Sequence, residues 1–314
     1  MLRSEAPPAE KALACKQLAV HGSEAAVPEL ARLLTNEQLA SWARTPLEVI
    51  PGKGADEALR KALGSTRGKL QIGVINSIGV RRDVAAVEIL TAHLQDEDAE
   101  VASAAAVALG LIGNEPATRS LRGALAGAPA NVRSAVAEGL VLCAERLLSG
   151  GNAAGAAEIY DEVRHAKVPL QRILEATRGA ILARKENGIN LLVEQLNSPE
   201  KALFQIALAT AREVPGRKID EALAAEVTKA SPERAEQIIA TMADRPETVV
   251  LPAVVKAAGN GPKQVRLAAI AALGRVGDAT CLAQLLDIAA EPDQELASAA
   301  KEALKTARIR MPDR

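Results

Sequence analysis

Aromatic residues are almost missing. The 314-residue chain holds one Trp, one Tyr and one Phe while 48% of it is hydrophobic, so any core must be assembled from Ala, Leu, Val and Ile. Large rings, which bury roughly 150–250 Å² each, are not there to fill a thick globular core. Small aliphatic side chains instead fill a thin layer between closely spaced helices, and Ala and Leu are among the strongest helix formers, which excludes an all-β sandwich. An excess of either charge is missing too: 38 Lys plus Arg stand against 39 Asp plus Glu. Nucleic-acid binding needs clustered positive charge to displace counterions, so nucleic acid is not expected as a partner. Cysteine is scarce. Cys15, Cys143 and Cys281 lie far apart, each inside an Ala/Leu pattern; this argues against disulfides and zinc and for free thiols acting as small buried hydrophobes. No run reaches the roughly 18 apolar residues of a membrane span. Met1 to Glu10 carries charge and two prolines where a signal peptide would be apolar. A soluble chain with no membrane partner is expected. Helical periodicity starting by Ala9 and a polar tail from Arg308 to Arg314 are the pattern of a piece of a longer polypeptide.

What is present is repetition, at a period of roughly 30 residues, the range of solenoids. VASAAAVALGLIGN, from Val101 to Asn114, aligns without a gap on VRLAAIAALGRVGD, from Val265 to Asp278. A third copy, LQIGVINSIGVRRD, runs from Leu70 to Asp83, and a fourth starts at Val132 before diverging. A polar turn and a second amphipathic segment follow each copy, as in AVPELARLL from Ala26, AVEILTAHL from Ala86 and CLAQLLDIAA from Cys281.

This alternation resembles the HEAT repeat, in particular the short bacterial form also found in phycobilin lyases, on the pattern V-R-x-A-A-x-x-A-L-G-x-x-G-D at Val265 to Asp278. The resemblance implies an all-α fold: an α-α superhelix, a HEAT/armadillo-like solenoid of about nine to ten helix pairs. With that template the second-type helices start near Ala9, Asn36, Gly68, Ala99, Ala130, Val168, Glu200, Glu233, Pro262 and Asp293, with nine first-type helices between them. Gly and Pro punctuation at Pro51-Gly52, Gly150-Gly151, Pro215-Gly216 and Asn260 to Pro262 falls where the loops belong. The expectation is one solenoid over residues 1–314, with a change of pitch near residues 140–152. Pro46 lies inside a helical segment, where a lost donor should kink or split it.

GKGADEALRKAL at Gly52 to Leu63, GVINSIGVRRD at Gly73 to Asp83 and LCAERLLSGGNAAGAAEIYDEV at Leu142 to Val163 also resemble HEAT-repeat proteins of planctomycetes and verrucomicrobia. In that group such arrays stand beside a 3-keto-disaccharide hydrolase-like domain in exported proteins. The resemblance implies a scaffold role, with a partner protein or an adjacent domain bound, and implies export.

Catalytic, cofactor and metal residues are expected to be none. His21, His93 and His165 are spaced by 72 residues, more than two repeats, too far apart to share an ion at about 2 Å. Deoxyhypusine hydroxylase, an iron enzyme of HEAT type, holds its metal with His-Glu pairs, whereas Gly22, Leu94 and Ala166 follow the histidines here. Alkylpurine DNA glycosylases need a basic groove and aromatic residues, and Trp42, Tyr160 and Phe204 sit in separate repeats. No G-x-S-x-G, phosphate-loop or dinucleotide fingerprint occurs. A phycobilin-lyase-like or other HEAT-type enzyme is the alternative to a scaffold.

The candidate partner surface comes from helix geometry. With Val265, Ala269, Ala272 and Val276 toward the core, a 100° step puts Leu267, Ile270, Ala271 and Gly274 opposite, and likewise Ile72, Ile75, Asn76 and Gly79, and Ser103, Ala106, Val107 and Gly110. HEAT arrays place their second helices on the concave side, so this small apolar stripe reads either as a groove or as packing between repeats. The candidate partner residues are Ile72, Ile75, Asn76, Arg81, Arg82, Val107, Leu267 and Ile270. Arg81 and Arg82 have two readings: forks for an acidic partner, or side chains facing the carbonyl end of the preceding helix, with Asp83 as the cap.

Overall fold

The computed structural model describes residues 1–309; the tail from residue 310 onward lies outside the described residues. Nineteen α-helices occur among them, and no strand. The second-type helices are α1 Pro8–His21, α3 Ala40–Val49, α5 Gly68–Arg81, α7 Ala99–Ile112, α9 Ala130–Ser149, α11 Leu170–Arg184, α13 Lys201–Glu213, α15 Pro232–Ala243, α17 Lys263–Val276 and α19 Gln294–Ile309. Between them lie the first-type helices α2 Val27–Leu33, α4 Lys53–Ser65, α6 Val87–His93, α8 Glu115–Leu125, α10 Ala153–Arg164, α12 Ile189–Leu196, α14 Arg217–Val227, α16 Leu251–Gly259 and α18 Leu282–Ala289. The fold is an all-α solenoid. Its contacts gather into two compact units, Met1–Gly179 and Ala180–Arg314, with the division falling inside α11.

Some helices and short helical turns start where the sequence supplies side-chain acceptors for unpaired N–H groups. Asp98 accepts from Glu100 N–H, Asn114 from Ala117 N–H, Asn152 from Gly155 N–H and Asp278 from Thr280 N–H. Asp83 does the same for Ala85 N–H, so Asp83 is the cap in the Arg81-Arg82-Asp83 cluster. α3 runs from Ala40 through Pro46 to Val49 without a break, so the proline does not split it. Proline removes one donor, and the carbonyls at the end of this helix find another source of donors in Arg81.

Arg81 works as a staple between repeats. It donates from Nη1 to Leu47 O at 2.6 Å and Ile50 O at 2.8 Å, from Nη2 to Gly52 O at 2.9 Å, and from Nε to the Asp56 carboxylate. Unit 2 contains the same staple 164 positions later. There Arg245 donates to Ala211 O, to Val214 O at 2.8 Å, to Gly216 O at 3.1 Å and to Asp220 at 2.9 Å. The turn that exposes these carbonyls needs a glycine at positive φ: Gly52 at 106° and Gly216 at 103°. The shared text, I/V-P-G-x-x-x-D-E-A-L at Ile50 to Leu59 and at Val214 to Leu223, carries the same offset as Val101 to Val265. The two units are therefore diverged copies of one multi-repeat segment.

Small side chains set the helix spacing. α7 packs on α5 and α9 through Ala104, Ala105, Ala106 and Ala108, all buried. At the tightest point Gly110 of α7 faces Gly139 of α9, and a Cβ on Gly110 would stand 2.5 Å from the Gly139 Cα. Ala and Gly let the backbones approach; Leu30, Leu59, Leu90, Leu121 and Leu223, fully buried, supply about 1.5–3 kcal/mol each. Cys15, Cys143 and Cys281 are buried free thiols, and burial pushes all three upward in pKa.

Candidate functional site

Packing against three neighbours leaves second helices such as α5, α7 and α17 only a narrow strip at the surface. Inside a unit, a second helix meets a first-type helix and the second helices before and after it, as α5 meets α3, α4 and α7. The two-sided division of the helix is therefore wrong for part of the predicted stripe. Ile75 and Ile270 are fully buried, and Gly79, Gly110 and Gly274 face Ala108, Gly139 and Ala303 of the next second helix. Ile75 and Ile270 are internal packing. Arg81 is likewise committed to its carbonyl staple and offers no free fork. Of the other candidates, Asn76 and Arg82 are exposed and Ile72, Val107 and Leu267 half-buried.

In unit 1 the surface strip has a regular composition. Val49 of α3, Val80 of α5, Leu111 of α7 and Leu142 of α9 follow one another at intervals of 31 residues, and consecutive members of this helix series pack together. Val49 is 59% exposed and Val80 55%, while Leu111 and Leu142 are half-buried. One turn earlier along the helices come Thr45, Asn76, Val107 and Glu138, and α3 adds Trp42, 46% exposed. Sequence reasoning missed Val49, Val80, Leu111 and Leu142 because valine and leucine in a helix read as core. Their 31-residue spacing was the available signal.

The equivalent row of unit 2, 164 positions on, reads Glu213, Asp244, Arg275 and Thr306. Asp244 accepts from Arg275 Nη2 at 2.6 Å and from Arg212 Nε at 2.7 Å, joining α13, α15 and α17. Those bonds hold the Asp244 carboxyl below its usual range, with the Arg275 hydrogen bond the largest cause. Glu213 is partnered as well. Where unit 2 closes its row with ion pairs, unit 1 leaves apolar side chains open to water.

At the end of the apolar row a cavity of about 500 Å³ is lined by Arg82, Leu111, Leu142, Glu145, Arg146, Ser149 and Gly150. A second cleft of unit 1, about 550 Å³, holds His93 near Arg67 and Gln71, with His93 Nδ1 3.0 Å from Asp96 Oδ2. His21 and His165 are exposed elsewhere. Tyr160 is buried, and burial pushes its hydroxyl up to about 12; its ring fills the space left by Gly179. Among the described residues no helix is long and apolar enough to cross a membrane.

Comparison with solved structures found folds of the same kind. The Kap95p structure, in which binding induces the switch loops of RanGDP to adopt the GTP-bound conformation, is 11% identical; 89% of this chain and 45% of that one superpose at a TM-score of 0.57. Kap121p bound to Nup53p is 11% identical, with 95% of this chain and 38% of that one covered at 0.56. This chain thus spans less than half of either. Human deoxyhypusine hydroxylase in complex with glycerol is 21% identical over 91% of this chain and 97% of that one, at a TM-score of 0.39, too loose a superposition to argue from. Comparison with curated proteins gave no match. The HEAT-repeat family pattern covers residues 57–141 and 219–305, more than half of the sequence, and its two segments fall one in each unit. With the alternating helices and repeated staples, this match establishes that the chain belongs to the HEAT-repeat family.

Proposed function

We propose that the chain is a non-catalytic protein-binding scaffold that holds a partner segment, from another protein or a neighbouring domain, along the second-helix face of unit 1. The observation that carries this reading is the row Val49, Val80, Leu111 and Leu142, apolar at the surface where the duplicate row of unit 2 is polar and ion-paired at Asp244 and Arg275. A face that simply met water would be polar, as the strip of unit 2 is. Kap121p, which shares the fold, is described bound to Nup53p, so helical arrays of this kind do seat protein partners.

Magnitudes set the kind of binding. Completing the burial of four half-covered aliphatic side chains is worth about 1 kcal/mol each, or about 4 kcal/mol together, which alone corresponds to millimolar affinity. Polar anchors and further contacts along the strip, including Trp42, Ile72, Asn76 and Val107, are needed for tighter capture.

A display library of random 12-residue peptides, selected on the full chain, tests this. Val80→Glu should weaken the selected peptides at least about tenfold while changing stability by no more than about 0.5 kcal/mol, since Val80 is exposed and no cap or core contact is lost. Leu286→Glu, an equally exposed leucine on α18 of unit 2, should leave binding unchanged. Peptides that bind Val80→Glu as tightly as the unaltered chain would remove the apolar row from the account.

A further inference from the structure

Among the described side chains, Arg82 and Arg146 are the two arginines whose guanidinium groups have neither a hydrogen bond nor an ion pair; every other one is engaged with a carbonyl, a carboxylate or another partner. Both line the same cavity of about 500 Å³. They come from different helices: Arg82 caps the end of α5, and Arg146 stands in the last turn of α9. Arg82 also occupies the left-handed region, with φ at 55°, where glycine would be the unstrained residue. Unit 2 has Pro246 at the equivalent position, and the arginine in its row, Arg275, is closed by Asp244. Among the described residues, open guanidinium groups are thus confined to the end of the open apolar row.

We propose that Arg82 and Arg146 together anchor a carboxylate of the bound segment, an Asp or Glu side chain next to an apolar residue that seats on Leu111 and Leu142. This rests on the reading of the unit 1 face as a partner-binding surface. Two guanidinium groups and the Glu145 carboxylate leave the cavity with one net positive charge, which matches a monoanion. A phosphate dianion or a polyanionic strand would meet Glu145 at close quarters. The planar fork of arginine pairs with carboxylate through charge-assisted hydrogen bonds, and the two leucines beside it exclude water from one side.

The same peptide library tests the anchor when selected against the full chain and against the double variant Arg82→Gly, Arg146→Gln. Glycine suits the left-handed position, and glutamine keeps much of the stem of Arg146, so the fold is retained. Peptides selected on the unaltered chain should carry Asp or Glu beside apolar residues, and changing that acid to its amide should weaken binding about tenfold. The double variant should bind acid and amide peptides alike, and Arg32→Ala, outside the cavity, should keep the preference. Apolar peptides without acid enrichment would overturn the anchor and leave the apolar row standing. No enrichment of any peptide would overturn both. A single-stranded oligonucleotide that bound more tightly than the acidic peptides, and lost affinity in the double variant, would reassign the arginines to phosphate and overturn the proposal.

Discussion

Asp220→Ala should lower stability by about 3–5 kcal/mol, whereas the equivalent Asp56→Ala should cost about 1–2 kcal/mol. Both aspartates accept from the Nε of the stapling arginine, and Asp220 accepts from Nη2 as well; exclusion of water adds most of the remaining difference. The Asp220 side chain has no exposure and Arg245 has 7%, while Asp56 retains 22%. Removing the Asp220 carboxylate strands a guanidinium in a dry site with three carbonyls to share, and nothing neutralises its charge. At Asp56 solvent replaces part of what is lost. The staple also holds the turn between two repeats, so the damage reaches both. Urea denaturation of each full-length variant, followed by circular dichroism, checks this. Equal losses would show that burial does not control the staple.

Gly110→Val should cost about 3 kcal/mol or more, at the upper end of overpacking substitutions. The obstacle is backbone: a Cβ at Gly110 meets the Gly139 Cα at 2.5 Å and its carbonyl oxygen at 2.6 Å, and one at Gly139 meets Ala106 O at 2.5 Å. No side chain can rotate away, so α7 and α9 must separate and loosen the buried contacts of Ala105, Ala106, Ala137 and Leu140. The opposite sign is expected at Gly123 of α8, where an added Cβ meets nothing within 4 Å. Gly123→Ala should stabilise by about 0.5–1 kcal/mol through helix propensity alone. Thermal unfolding of the two variants beside the unaltered chain checks both signs.

The helical order was legible in the sequence because Gly and Pro breakers or capping side chains mark many of the junctions. All ten second helices begin within a few residues of the positions read from the repeat. The largest difference, Asn36 against Ala40, comes from a turn in which Asn36 Oδ1 accepts from the N–H groups of Gln38 and Leu39. The binding face was less legible. Helical periodicity distinguishes one apolar face from one polar face, but a second helix in this array contacts neighbours on three sides, so apolar residues such as Ile75 and Ile270 fall inside although Ile270 and its equivalent Ile75 lie away from the side of Val265 and Ala269. Of the two adjacent arginines, Arg81 follows the reading toward the carbonyl end of the preceding helix and Arg82 does not. Arg81 ends the helix with its side chain on the preceding turn, and Arg82, one residue later in the left-handed region, turns to the other side. The division into duplicated units was present as the 164-residue offset, hidden by the stronger signal of the short repeat.

Trp42 provides the most direct test of whether a partner lies along the second-helix face of unit 1. It is the one tryptophan of the chain, nearly half exposed on α3, one turn from Thr45 and two from Val49. Titration of a library-selected peptide should shift Trp42 emission to the blue and shield it from iodide, with the same dissociation constant that calorimetry gives. Tight calorimetric binding that leaves Trp42 emission and iodide access unchanged would place the partner elsewhere and contradict the account.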